Sequence, residues 1–89
     1  VQHEQLEQEQ IVGRRASTAY DTFIKSFIQS KRNMLLESFV TCGIGEVEII
    51  LEIKRTLYVL DALDTDIKTL IDTGKMASQS LNKESMERH

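Results

Sequence analysis

Asp61, Asp64 and Asp66 form a short acidic cluster, with Glu48 and Glu52 upstream of it. Carboxylates grouped in this way could hold a divalent cation or share a proton in acid–base chemistry. A hard cation wants six or more oxygens converging from a loop, with a Gly allowing the sharp turn. These acids fall on a stretch of helical periodicity, without such a Gly and without a nearby His, so the expectation is a solvated helix face. His3 and His89 stand at opposite ends of the chain in polar segments, away from the ligand spacings that zinc sites use. Ser17, Ser26, Ser30 and Ser38 have no histidine in reach for a nucleophilic triad. Cys42 is the one cysteine, so it can join no internal disulfide and no thiolate cluster, although a bridge between chains at the turn stays open. The chain therefore reads as non-enzymatic, with no cofactor and no metal.

Two further motifs have a chemical reading. Cys42-Gly43-Ile44-Gly45 is glycine-rich but lacks the preceding strand and following Lys-Ser/Thr that a phosphate loop needs. Backbone freedom for a reversal of direction explains its glycines better. Arg14, Arg15, Lys31 and Arg32, with Lys25 between, could touch a nucleic-acid backbone, with Tyr20 and the phenylalanines interleaved. The net charge of −3 argues against binding nucleic acid through charge alone. Residues 1–45 balance five acids with five bases, whereas residues 46–89 carry nine acids and six bases, so any phosphate contact belongs to the first half. The aromatics share the apolar stripe and are expected in the core.

The elements that must position these residues are helices. With 89 residues, no Pro and four Gly, the chain has little punctuation for a many-stranded fold. Residues 1–17 read as a helix-prone arm interrupted at Gly13, with one continuous helix into the next segment as the competing reading. Thr18-Ala19-Tyr20-Asp21 fits a capping box, and Tyr20, Phe23, Ile24, Phe27, Ile28, Leu35 and Phe39 then recur at helical steps. Asp21 and Lys25 are placed for an i,i+4 pair. Gly43 is the expected C′ residue of this first helix. The second begins at Gly45 or Glu46, carries Ile50, Ile53, Leu57, Leu60, Asp64, Ile67 and Ile71 as a heptad-like seam, and is expected to stop at Gly74. Asp64 alone breaks that seam, and Asp64–Lys68 is a well-oriented pair. A strand over residues 46–53 is disfavoured because nothing evident would pair with it.

The predicted fold is thus all-α: an antiparallel two-helix hairpin over 18–41 and 46–73, within a hairpin unit 18–75. A polar tail, 76–89, follows. The helices would be about 36 and 42 Å long at 1.5 Å per residue. No apolar run approaches the roughly 18–20 residues that span a bilayer. The acidic, Gln-rich start is unlike a secretory signal, and its lack of Met suggests a processed or trimmed chain. Val47, Leu51 and Tyr58 fall outside the seam on a second stripe, the candidate partner interface. A two-helix unit of this size also buries too little to offset chain entropy, which again asks for a homo-oligomer or a docked partner.

From Ala19 to Leu81 the chain resembles small helical structural proteins of tailed bacteriophages. The residues that carry the resemblance are the apolar-aromatic first helix, the short turn, Leu57-x-x-Leu60-x-x-Leu63 and the closing Ile71-Asp72-Thr73-Gly74-Lys75-Met76-Ala77. It implies a virion or head-assembly component without enzymatic activity, located in the virion or the host cytoplasm. Its implied partners are copies of itself or a larger capsid- or portal-type protein. The alternative reading is a small nucleic-acid-binding packaging or regulatory adaptor.

Overall fold

Hydrophobic seams and one short turn determine the architecture. The structure, a computed structural model, describes residues 2–87; Val1 and His89 lie outside the described residues, as does Arg88. The first rod consists of α1 (Gln2–Ala19), a single π-helical turn (Tyr20–Ile24) and α2 (Lys25–Thr41). The second rod is α3 (Val47–Glu87), which returns antiparallel. The protein is an all-α helical hairpin, with no strand among the described residues. Each rod of about 40 residues spans about 60 Å, consistent with overall extents of 68 × 22 × 14 Å.

Both rods are longer than the sequence expectation of 18–41 and 46–73. Thr18 lies inside a continuous helix rather than capping one, and Gly74 lies inside α3 rather than ending it. The reason is visible in the seam. After Ile71 the same alternating steps continue through Gly74, Ser78 and Leu81, all at least half-buried. Opposite them, Leu6, Gln10, Gly13 and Ser17 form the matching seam of α1. Arm and tail are helical because each is the other's partner.

Gly13 and Gly74 are both buried and face each other at the crossing. A Cβ built on either would lie 2.6 Å from the Cα of the other. No real side chain tolerates that distance, so backbone meets backbone, an approach that only Gly permits. Ala77, 1% exposed, packs one turn further on. Toward the turn the rods pack less closely, α2 touching α3 far less than α1 does.

The π turn alters the register of the first rod. Lys25 N–H donates to the Tyr20 carbonyl, five residues back. Continued regularly from Leu6, Gln10, Gly13, Ser17, Tyr20 and Ile24, the seam would take Phe27, Lys31 and Met34 next. Instead Ile28, Arg32 and Leu35 face inward, one residue later. The expectation of buried aromatics is corrected: Phe23, Phe27 and Phe39 are all exposed, and the shift accounts for Phe27, which a regular seam would bury. The widened turn also separates Asp21 from Lys25, which form no ion pair among the described residues.

The turn itself uses no left-handed glycine. Gly43, expected as C′ residue, has no positive φ, and Cys42 ends the helix in an extended conformation instead. Glu46 N–H donates to the Gly43 carbonyl (3.0 Å), while the Glu46 carboxylate accepts from Gly43 N–H (3.2 Å). Glu46 thus ties the turn together and leads into α3, where its carbonyl accepts from Ile50 N–H (3.1 Å).

The result is a ribbon with a thin interior. Ile28, Ile53, Leu60 and Ala77 are its only buried apolar side chains among the described residues. Its accessible surface is 7101 Å², against about 5,300 Å² for a compact monomer of this mass.

Candidate functional surfaces

The polar groups at the seam hold position. Asp64, the one acid in the seam of α3, accepts from the Tyr20 hydroxyl (2.8 Å) and from Lys68 Nζ (2.8 Å). Lys68 Nζ also lies 6.0 Å from the centre of the Tyr20 ring. The Lys68 and Tyr20 hydrogen bonds hold the Asp64 carboxyl below its usual range. Accepted by Asp64, the Tyr20 phenol is pushed up, and so is the Lys68 ammonium beside the same carboxylate. Each group is pinned in its ordinary ionisation state at neutral pH, whereas general acid–base work needs a pKa near the working pH. The trio registers the two rods against each other.

The other acids disperse. Asp61 pairs with Arg32 across the hairpin, in a partly exposed bridge of the kind that contributes little to stability. Among the described residues no group of three or more His, Cys, Asp and Glu comes together around a metal position. No described helix is long and apolar enough to cross a membrane.

His3 is solvent-exposed, as expected of a terminal histidine, and also has partners. Its Nε2 lies 2.8 Å from Glu7 and its Nδ1 3.0 Å from Glu84, so the ring bridges the open end of the hairpin. Glu84 first, then Glu7, favour the doubly protonated ring and raise its pKa above 6.5. The sign follows from linkage: stabilisation is full below the unfolded pKa and is lost as pH rises through the raised folded value. Amide exchange at residues 3–10 and 80–84 should therefore accelerate above pH 6.5 beyond the intrinsic pH effect. His3→Gln should flatten that excess; an unchanged excess would show that the histidine is not the latch.

The basic residues do not form one patch. Arg32 is committed to Asp61. Arg14 and Arg15 line one hollow with Thr18, Thr22 and Phe23, and Arg14 also borders a second with Lys75 and Ser78. Lys31 is about 24 Å along the rod from Arg15 at 1.5 Å per residue.

Val47, Leu51 and Tyr58 lie on the outward edge of α3, all exposed. Leu51, Lys54, Arg55 and Tyr58 surround a shallow, almost wholly apolar hollow with Val59 at its rim. Spacings of i, i+3, i+4 and i+7 are those of the four residues that receive a knob in helix–helix packing.

A larger apolar surface was missed in the sequence. At about 100° per residue, the residues a quarter-turn behind the seam fall on the same flat side of both antiparallel rods. On the first rod these are Phe23, Phe27 and Met34; on α3 they are Ile49, Val59, Leu63 and Leu70, each between 46% and 63% exposed. The opposite side carries Arg14, Asp21 and Lys25 from the first rod and Lys54, Asp61, Lys68, Asp72 and Lys75 from α3. Leu36 and Val40, near the turn, are its apolar exceptions. The ribbon therefore has one charged face and one apolar face. The signal was the extra residue in the first-rod seam, which turns Phe27 outward.

Compared with known proteins, the chain matches no family model, no curated protein and no solved structure.

Proposed function

We propose that this chain is a non-enzymatic structural or assembly protein that acts through helix–helix contacts in a multi-copy particle. One observation carries the reading: the folded hairpin leaves Phe23, Phe27, Met34, Ile49, Val59, Leu63 and Leu70 exposed along one side. Contiguous apolar surface of this extent marks interaction sites. The resemblance of residues 19–81 to small structural proteins of tailed bacteriophages favours a virion or head-assembly role, with copies of itself or a capsid- or portal-type protein as partners. Virion or host cytoplasm is the corresponding location.

In this reading the Val47, Leu51 and Tyr58 edge joins neighbouring units. Leu51→Glu combined with Tyr58→Glu places charge in the knob-receiving hollow, so it should dissolve higher assemblies while leaving helix content intact. Light scattering and circular dichroism read the two effects. Normal higher assembly by the double variant would remove this edge from the interface.

A further inference from the structure

Building on that assembly reading, we infer that the apolar flat face is covered by a second copy of this chain, giving a two-layer, four-helix dimer. The face is built around Phe23, Phe27, Val59, Leu63 and Leu70, all exposed. It adjoins the edge hollow of Leu51 and Tyr58 at Val59, which rims both.

Area decides the occupant. The exposed apolar residues of α3 on this face run from Ile49 to Leu70, about 32 Å at 1.5 Å per residue, which across the 22 Å width of the ribbon makes an apolar patch of about 700 Å², near the roughly 800 Å² per partner of a standard interface. A short peptide or a single helix would cover only a strip of it. A second ribbon of identical dimensions covers it all and hides both apolar faces at once.

Symmetry agrees. A two-fold axis sets the same patch against itself. With the axis along the ribbon, the rod of Phe23 and Phe27 in one copy is set against the rod of Leu63 and Leu70 in the other. Lys31, Glu52 and Asp66 are the charges in this part of the face; Lys31 and Glu52 lie toward the turn, and Asp66, one heptad beyond Val59, lies on its outer side between Leu63 and Leu70. The charged faces stay in water on the outside of the dimer. Two sheets of helices around one apolar layer form a common stable architecture. The small residues that bring α1 against α3 keep each ribbon flat enough to stack.

The test uses the full chain at concentrations from dilute to concentrated, with sedimentation velocity and light scattering. The expected smallest species has twice the 10.2 kDa chain mass. Phe27→Glu with Leu63→Glu should weaken its dissociation constant at least about a hundredfold, whereas Leu51→Glu with Tyr58→Glu should leave it unchanged. Because the face variant could unfold, a wild-type mixture of isotope-labelled and unlabelled chains provides a second readout. Cross-chain NOEs between the Phe23 or Phe27 rings and leucine methyl groups are expected. A face variant that still dimerises, or absent cross-chain NOEs, overturns the proposal even where larger wild-type assemblies leave the assembly reading standing. A dimer with the expected NOEs but no higher assembly upholds the face and overturns the larger role. A strictly monomeric wild type overturns both and leaves the face to a different partner.

Discussion

Gly74→Ala should lower the melting temperature even though it replaces glycine with the best helix former in the middle of a 41-residue helix. In an exposed helix that exchange gains about 1 kcal/mol. Here the new Cβ would stand 2.6 Å from the Gly13 Cα and 3.1 Å from the Glu9 carbonyl oxygen. Both obstacles are backbone, so no rotamer change relieves them; the rods must separate. Separation loosens the packing around Ala77 and lengthens the Gln10–Ser78 hydrogen bond of 3.0 Å. Overpacking typically costs 1–3 kcal/mol, and here it must first overcome the propensity gain. With two backbone obstacles the cost falls at the upper end of that range, and the net loss of about 2 kcal/mol corresponds to a fall of roughly 8–16 °C for a chain of this size. Gly13→Ala should behave alike, since it meets the Gly74 Cα at the same distance. Gly45→Ala is the control: a Cβ there meets nothing within 4 Å and φ is not positive, so it should be neutral or gain about 0.4–1 kcal/mol. Thermal melts of the three variants at one protein concentration decide. A Gly74→Ala variant as stable as Gly45→Ala would mean that the rods do not cross there.

The same glycines explain why the hairpin was legible at one end and not at the other. Near the turn the seam of α3 is written in Ile50, Ile53, Leu57 and Leu60, large residues whose spacing reveals both the helix and its inner face. At the open end the seam is written in Gly13, Ser17, Gly74 and Ser78. Small residues allow the closest approach, yet in a sequence they read as breaks and polar linkers. The tightest packing in the molecule therefore has the weakest apolar signal. The heptad phase carried the information all the same, because Gly74 falls three residues after Ile71 and Ser78 four residues after that.

The candidate surfaces divide in the same way. Val47, Leu51 and Tyr58 were legible as outward-facing because α3 is a regular helix and angles accumulate predictably along it. Phe23 and Phe27 were not. The direction of Phe27 depends on a π turn, and no residue type announces one: Tyr20–Ile24 contains neither Pro nor Gly. A regular continuation would have buried Phe27 and Met34 and exposed Ile28 and Leu35. One extra residue between Ile24 and Ile28 thus turns a core stripe into the apolar face. Asp64 lay between the two cases. Its pairing with Lys68 followed from spacing within one helix, whereas the Tyr20 hydroxyl, from the other rod, required the register to be known.

Deleting Lys25 should leave the hairpin folded, an unusual outcome for a deletion in the middle of a long helix. The residue is exposed and lies at the end of the π turn. Without it, Tyr20, Ile24, Ile28, Arg32 and Leu35 follow one another at steps of four, three, four and three. An ordinary α-helix then presents all five to α3, and the wide turn has nothing left to absorb. Stability should stay within about 1 kcal/mol of the parent or rise, as π turns are rare outside special sites. Deleting Thr65, also exposed, tests the reverse. No wide turn in α3 can take up the change, so every residue beyond it rotates by about 100°. Lys68, Asp72 and Lys75 would then replace Ile67, Ile71 and Gly74 in the seam, burying charges without partners and moving the glycine away from the crossing. The cost should rival the entire stability of a small domain, about 5–15 kcal/mol, and abolish the cooperative melt. Circular dichroism on both deletions gives the comparison, with NMR contacts between Tyr20 and residues near Asp64 reporting whether register survives. Equal damage from the two would show that the π turn does not set the inward face of α2, and with it would go the reason for Phe27 facing outward.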